Sequence, residues 1–177
     1  MIKFNFGCGA NRLEGWANYD AEIDITKPLP FPNAYADFVL AEHVVEHVEY
    51  AQALAFFGEC RRVLKPGGVV RIAVPSIERI WIEKDENYYR FVQARGWSKT
   101  PDARGAIGAM LSCHGHKAPW TASLLAVSLY LAGFEHIVHR DPGLSDHPEL
   151  RGIEGHGHVI GKAFNDIETV ICEGTAV

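Results

Sequence analysis

Ile2-Lys3-Phe4-Asn5-Phe6-Gly7-Cys8-Gly9 is the stretch on which the reading of this chain turns. Apolar and polar residues alternate from Ile2 to Phe6 and run straight into Gly7 and Gly9, the pattern of a strand ending in a tight turn. Glycine after a first strand lets the backbone come close to a ligand, because no Cβ intervenes. In open α/β sheets the ligand crevice lies beyond the carboxyl ends of the strands. The pair alone is a weak signal: Arg12 stands where a dinucleotide fingerprint has its third glycine, and an ordinary strand-ending turn would look the same.

Outward from this stretch, Trp16 to Asp20 is a second short extended segment. Leu29-Pro30-Phe31-Pro32-Asn33 cannot be helical, since prolines flank Phe31 on both sides. Ala36 to Ala41, with Phe38-Val39-Leu40 at its heart, suits a strand buried on both faces. From Glu49 to Leu64 the apolar residues Ala53, Phe56, Phe57, Cys60, Val63 and Leu64 recur at helical spacing, and Pro66 with Gly67-Gly68 ends the helix. Val69 to Val74 is rich in β-branched residues and predicts a strand closed by Pro75, with Ser76 as N-cap of the next helix. Trp81 to Lys117 reads as one or two helices with loops, and Trp120 to Leu131 as a helix ended by Gly133. Phe134 to His139 and Ile167 to Glu173 are the last strand candidates. The alternation of short apolar strands with helices indicates an α/β domain with a mostly parallel sheet, one domain over residues 1–177. Residues 81–118 form a candidate lid or substrate-side insertion, in which Trp81, Tyr88, Tyr89, Phe91 and Trp97 either cover an acceptor or pack helices.

Composition narrows the partners. The chain is 47% hydrophobic and 22% charged, ordinary for a globular domain, with a formal charge of -5. Arg61, Arg62 and Lys65 have the spacing of a solvated helix face, and no basic stripe suited to a phosphate backbone is present, so nucleic acid is not expected as a partner. The apolar tract from Ala122 to Phe134 is too short to span a bilayer, and no leader pattern opens the chain. Cys8, Cys60, Cys113 and Cys172 are scattered, neither a disulfide framework nor a zinc site. A cytoplasmic protein without membrane attachment is the expectation.

Asp20 stands at the end of the second extended segment, where a carboxylate can accept hydrogen bonds from both hydroxyls of a ribose. Asp24 follows four residues later, in reach of an adenine amine, and the alternative for both is a loop cap. The order of elements is more specific than any of them. Phe4-Asn5-Phe6-Gly7-Cys8-Gly9, then Gly15-Trp16-Ala17-Asn18-Tyr19-Asp20, Leu29-Pro30-Phe31-Pro32, Glu42-His43-Val44-Val45-Glu46-His47, and Arg61-Arg62-Val63-Leu64-Lys65-Pro66-Gly67-Gly68 together resemble class I S-adenosylmethionine-dependent methyltransferases. Within that class the chain is similar to the type 11 methyltransferases, and to a compact group of predicted methyltransferases with a Gly-Trp-x-Asn-x-Asp second strand. The likeness covers about residues 2–76 and, more faintly, 115–134.

The resemblance implies a Rossmann-like three-layer sandwich with a seven-stranded sheet, one strand antiparallel. It implies S-adenosylmethionine as cofactor, held by Phe6, Gly7, Cys8, Gly9, Asp20, Ala21, Asp24, Ile25, Ala41 and Glu42. The glycine loop would take the methionine end, Asp20 the ribose, and Asp24 with Ile25 the adenine. Ala41, Glu42 and His43 would lie near the sulfonium. Asn5 departs from the acidic residue common at its position. Ten residues separate Gly9 from Asp20 and three separate Asp20 from Asp24, too few for the usual crossover helices at about a dozen residues each, so a trimmed sheet half is expected. The same shortage counts against a dehydrogenase, whose pyrophosphate needs a full helix after the glycine loop.

His43-Val44-Val45-Glu46-His47 also matches the His-x-x-Glu-His pattern of inverted zincin proteases, where a helix sets two histidines on one face around zinc. The motif begins at the end of a strand candidate, so no metal is expected there. Near the cleft, His43 or His47 as a neutral imidazole would take a proton from an attacking hydroxyl, or would only shape the pocket. His114-x-His116 and His156-x-His158 read as loop residues at the substrate mouth. The expected reaction is O- or N-methylation of a small-molecule or sugar acceptor by direct in-line displacement, in a protein that could pair as a homodimer. The alternatives are a catalytically inactive scaffold of the same fold and a zinc hydrolase.

Overall fold

Strand β1 (Lys3–Phe6) pairs in parallel with β2 (Ala17–Tyr19) on one side and β3 (Ala36–Glu42) on the other, in a computed structural model that describes residues 1–177. β4 (Leu64–Pro75) continues the parallel set. β6 (Thr169–Ala176) then lies antiparallel between β4 and β5 (Phe134–Arg140), giving the order β2-β1-β3-β4-β6-β5. This is the mixed Rossmann-like sheet the motif order implies, with β6 the one reversed strand. It has six strands, not seven. The chain between Gly9 and Leu29 holds only the three residues of β2 and no helix, so β2 closes the sheet as its edge.

Helix α1 (Tyr50–Val63) buries Ala53, Phe56, Phe57, Cys60 and Val63 on one face, the stripe legible in its spacing. That face packs with Phe4, Phe6, Val39, Val70 and Trp120 into the main core. Between Leu64 and Val69 the register with β3 jumps, because Gly67 at φ +81° turns the chain out of the sheet and back. Residues 81–117 are more regular than their mixed composition suggests. Helices α2 (Ile77–Glu83), α3 (Glu86–Ala94) and α4 (Ala103–Ser112) each start on a capping side chain: Ser76, Asp85 and Asp102 accept from the backbone N–H groups of Arg79, Tyr88 and Gly105. Their facing residues Ile80, Tyr88, Val92, Ala106 and Met110 form a second, smaller core. Helix α5 (Ala122–Leu131) covers the sheet near β5, capped by Thr121.

The final strand begins two residues later than its apolar pattern suggests, because helices α6 (Gly157–Ile160) and α7 (Lys162–Glu168) absorb Ile167 and Glu168. Between β5 and α6 runs a long loop tied to the sheet by Arg71 of β4, which is wholly buried. Its guanidinium donates to Glu154 Oε1 at 2.5 Å, to the Leu144 carbonyl at 2.9 Å, and to Glu173. Glu154 in turn accepts from the backbone N–H of Gly143 at 2.9 Å. No helix is long and apolar enough to cross a membrane.

Candidate active site

The carboxyl ends of β1 and β3 open into a cavity of about 270 Å³ lined by Asn5, Gly7, Cys8, Glu42, His43 and His156, among others. Gly7 adopts φ +64°, and a Cβ there would stand 2.3 Å from Val44 Cγ2, so the close approach needs glycine. Asn5 lines the cavity with its amide nitrogen already engaged. Its amide donates to the Asn11 carbonyl and to Asn18 Oδ1, both at 2.9 Å, lashing the trimmed loop to β2. Glu42 is held by the backbone N–H groups of Gly155 (2.8 Å) and His156 (2.9 Å) and by Asn11 Nδ2 (3.2 Å). Phe6 and Ala41 are buried in the core, leaving only their backbone for a ligand. Cys8 is buried, and burial pushes its thiol pKa up, which makes it a wall and not a nucleophile.

Asp20, Ala21, Asp24 and Ile25 stand outside this cavity wall. Asp20 is exposed at the end of β2, its Oδ1 3.4 Å from the Gly9 N–H, beside the glycine turn. Asp24 is engaged locally. Its Oδ1 accepts from the Thr26 hydroxyl at 2.7 Å and the Thr26 N–H at 2.9 Å, bonds that also hold its pKa low. Ile25 faces inward to the core. A cavity with a close-approach glycine turn fits the methionine end of S-adenosylmethionine, and Asp20 stands exposed just beyond β2, outside that wall.

His43 ends β3 in the left-handed region, φ +52°, a strained conformation for a residue with a side chain. The kink stacks its ring on His156, centroids 3.8 Å apart and planes at 18°. Its Nδ1 lies 3.3 Å from Glu46 Oε1, and its Nε2 lies 3.1 Å from Thr169 Oγ1, whose own hydroxyl donates to Asn165 Oδ1. Burial lowers the His43 pKa, but the carboxylates of Glu46, Glu168 and Glu42 outweigh it and the net shift is upward. His43 Nε2 is therefore taken up by Thr169, while Nδ1 faces the Glu46 carboxylate without being aligned to donate to it. The protease-like pattern is also undone: Val45–His47 forms a single 3-10 turn, and the rings of His43 and His47 join different clusters.

Behind the His43–His156 pair lies a second chamber of about 300 Å³, lined by Glu46, His47, Tyr88, Trp97, Met110 and His116, among others. Of the aromatic set, Tyr88 and Trp97 reach this wall. Trp81 is exposed, Tyr89 donates to the Ile80 carbonyl, and Phe91 stacks on Phe164. His116 Nδ1 is 2.6 Å from the Met110 carbonyl, which can only accept, so Nδ1 carries the proton and Nε2 a lone pair. Burial pushes the His116 pKa down. His114 turns at φ +64° to set its ring edge-on to Trp97, and His158 faces the first cavity.

Glu168 closes the back wall, accepting from Tyr88 and pairing with His156 Nε2 at 3.2 Å. Burial raises its pKa, yet the His156 bond, the His43 charge and the Tyr88 hydroxyl prevail and hold it below the usual carboxylate value. A lowered carboxylate pKa adds stability that is present above the unfolded-state value and is lost as pH falls through the folded one. Glu168→Gln should therefore flatten the acid side of a plot of thermal midpoint against pH, read by scanning calorimetry. An unchanged acid limb would remove Glu168 from that role. Glu168, Thr169, Asn11 and Gly155 carry no local sequence signal. Each reaches the site only through the fold.

Residues 6–72 match the family model for a methyltransferase domain. No curated protein sequence is a significant match. Among solved structures, an S-adenosylmethionine-dependent methyltransferase from Archaeoglobus fulgidus is 16% identical, with 98% of this chain and 85% of that chain covered at a TM-score of 0.57. One from Mesorhizobium loti is 12% identical, over 98% of this chain and 90% of that one, at 0.53. One from Aquifex aeolicus is 14% identical, over 100% and 82%, at 0.52. At such identities the likeness speaks for the fold, and the family match speaks for the glycine turn, β2 and the histidine turn that the fold brings together. The chain thus carries a methyltransferase-domain match over residues 6–72 on a fold similar to that of S-adenosylmethionine-dependent methyltransferases.

Proposed function

We propose that the protein methylates an oxygen or nitrogen of a small-molecule acceptor, such as a sugar hydroxyl, by direct in-line displacement. The observation that carries this reading is the pair of chambers meeting at the stacked rings of His43 and His156. One chamber opens on the glycine turn. The other is about 300 Å³, the size of a small-molecule pocket, and mixes apolar walls with unpaired polar atoms. The cofactor, when bound, supplies the methyl group and the sulfonium leaving group. The chain has to position the acceptor, exclude water and dispose of one proton. Gly7 to Gly9 receive the methionine end, Asp20 with Ala21 the ribose side, and Asp24 and Ile25 the adenine side, with Ala41 and Glu42 flanking the sulfonium. His43, held by Thr169 and stacked on His156, orients the wall between the chambers. His47, the more exposed of the two candidate catalytic histidines, is the one that meets the acceptor.

Calorimetry should show S-adenosylmethionine and S-adenosylhomocysteine binding at micromolar concentration, roughly -8 kcal/mol. Asp20→Ala should weaken both by about 1–3 kcal/mol, because the ribose hydroxyls lose their acceptor. Equal affinity in wild type and variant would remove Asp20 from the site. The acceptor is then sought by incubating the loaded protein with a metabolite extract and following the methyl group by mass. Tight cofactor binding with no methylated product in any extract would favour the inactive scaffold.

A further inference from the structure

We propose that Glu46, His47 and His116 form a site for one divalent cation of the zinc class in the acceptor chamber, with a position left open for an acceptor hydroxyl. The proposal rests on the two-chamber reading above. Glu46 is only 1% exposed, and neither of its carboxylate oxygens has a hydrogen-bond partner. The imidazoles nearest to it, His43 Nδ1 at 3.3 Å and His47 Nε2 at 4.0 Å, are not aligned to donate. A buried carboxylate without donors is costly, and it lines the chamber.

One ligand atom from each of Glu46, His47 and His116 lies within 4.8 Å of the others. Bonds of about 2.0–2.2 Å would draw them closer, and the His47 ring, 42% exposed, is free to swing inward. The supporting structure is already present. The Lys117 and Ala118 N–H groups donate to the Glu46 carbonyl at 2.7 and 3.2 Å, clamping the segment after His116 beside the 3-10 turn. The rings of His47 and His116 are 5.0 Å apart. His116 gives its Nδ1–H to the Met110 carbonyl at 2.6 Å and presents Nε2 to the chamber, the arrangement in which a second hydrogen bond orients a ligating imidazole.

Two imidazoles and one carboxylate with an open position form a donor set suited to zinc or another borderline cation, and poorly suited to magnesium. The other candidate cluster, His43, His156 and Glu168, is different in kind. Glu168 is already satisfied by Tyr88 and His156, and the two rings lie face to face. In the reaction, the bound acceptor hydroxyl releases its proton to water. Its oxygen then bonds to the methyl carbon as the carbon–sulfur bond breaks with the electron pair on sulfur, and the cation changes no oxidation state.

The test uses the full chain stripped by a chelator and titrated with Co²⁺ and Zn²⁺, with bound metal measured by elemental analysis and Co²⁺ by its visible absorption. The expected result is one ion per chain, with affinity lowered at least about tenfold in Glu46→Gln, His47→Ala and His116→Ala, and kept in His156→Ala. Should Glu46→Gln fail to fold, the more exposed His47 carries the test. No stoichiometric uptake, or uptake indifferent to His47→Ala and His116→Ala, or loss in His156→Ala, overturns the site. Cofactor calorimetry on the same samples separates the two readings. Metal bound without methyl transfer leaves the site standing and the function refuted, whereas methyl transfer by metal-free protein does the reverse.

Discussion

His47→Gln is expected to lower turnover by roughly 10²–10⁴-fold while S-adenosylmethionine affinity holds, because the cation that eases departure of the acceptor's proton loses one of its three ligands. His43 and His47 look equivalent in the sequence, four residues apart in one motif, and the structure separates them. His43 is held by Thr169 and stacked on His156, whereas His47 lies on the chamber wall with its ring open. A steady-state comparison with the acceptor in hand distinguishes them: a fall in kcat at unchanged cofactor affinity for His47→Gln, and for His43→Gln a change that includes cofactor binding, since its ring borders both chambers. Near wild-type kcat in His47→Gln would leave positioning alone to carry the reaction.

The second large effect is on stability. Arg71→Ala should cost about 3–5 kcal/mol of unfolding free energy, read by urea denaturation, because it strands Glu154 as a buried charge without a cationic partner and leaves Glu173 with Arg140 alone. Both carboxylates are almost wholly buried, so water cannot replace the guanidinium. The loss reaches the site as well. Arg71 anchors the loop through Glu154 and Leu144, and the next residues, Gly155 and His156, are those whose N–H groups hold Glu42. Cofactor affinity should therefore weaken in the same variant. A cost below about 1 kcal/mol would mean that the loop finds other anchors.

Much of the scaffold was legible in local patterns. The alternation into Gly7, the apolar run Phe38-Val39-Leu40, the helical stripe of α1 and the cap at Ser76 each report a preference that a few neighbouring residues suffice to set. The short spacing from Gly9 to Asp20 announced a trimmed sheet, and the sheet closes one strand early. The local turn of Asp24 was also within reach, since Asp-x-Thr is a side-chain turn pattern.

The site itself depends on pairs that no window along the chain contains. His43 meets His156, Glu42 meets Gly155, Glu46 comes to lie beside His116, and Arg71 meets Glu154 and Glu173. Period and propensity act over a turn of helix or a few residues of strand, so they specify elements and their buried faces. Which loop crosses the carboxyl ends of those strands is decided when the faces pack and buried charges must find partners across the fold. For that reason one histidine motif, uniform in sequence, becomes two histidines in two environments, His43 locked between the chambers and His47 open to the second.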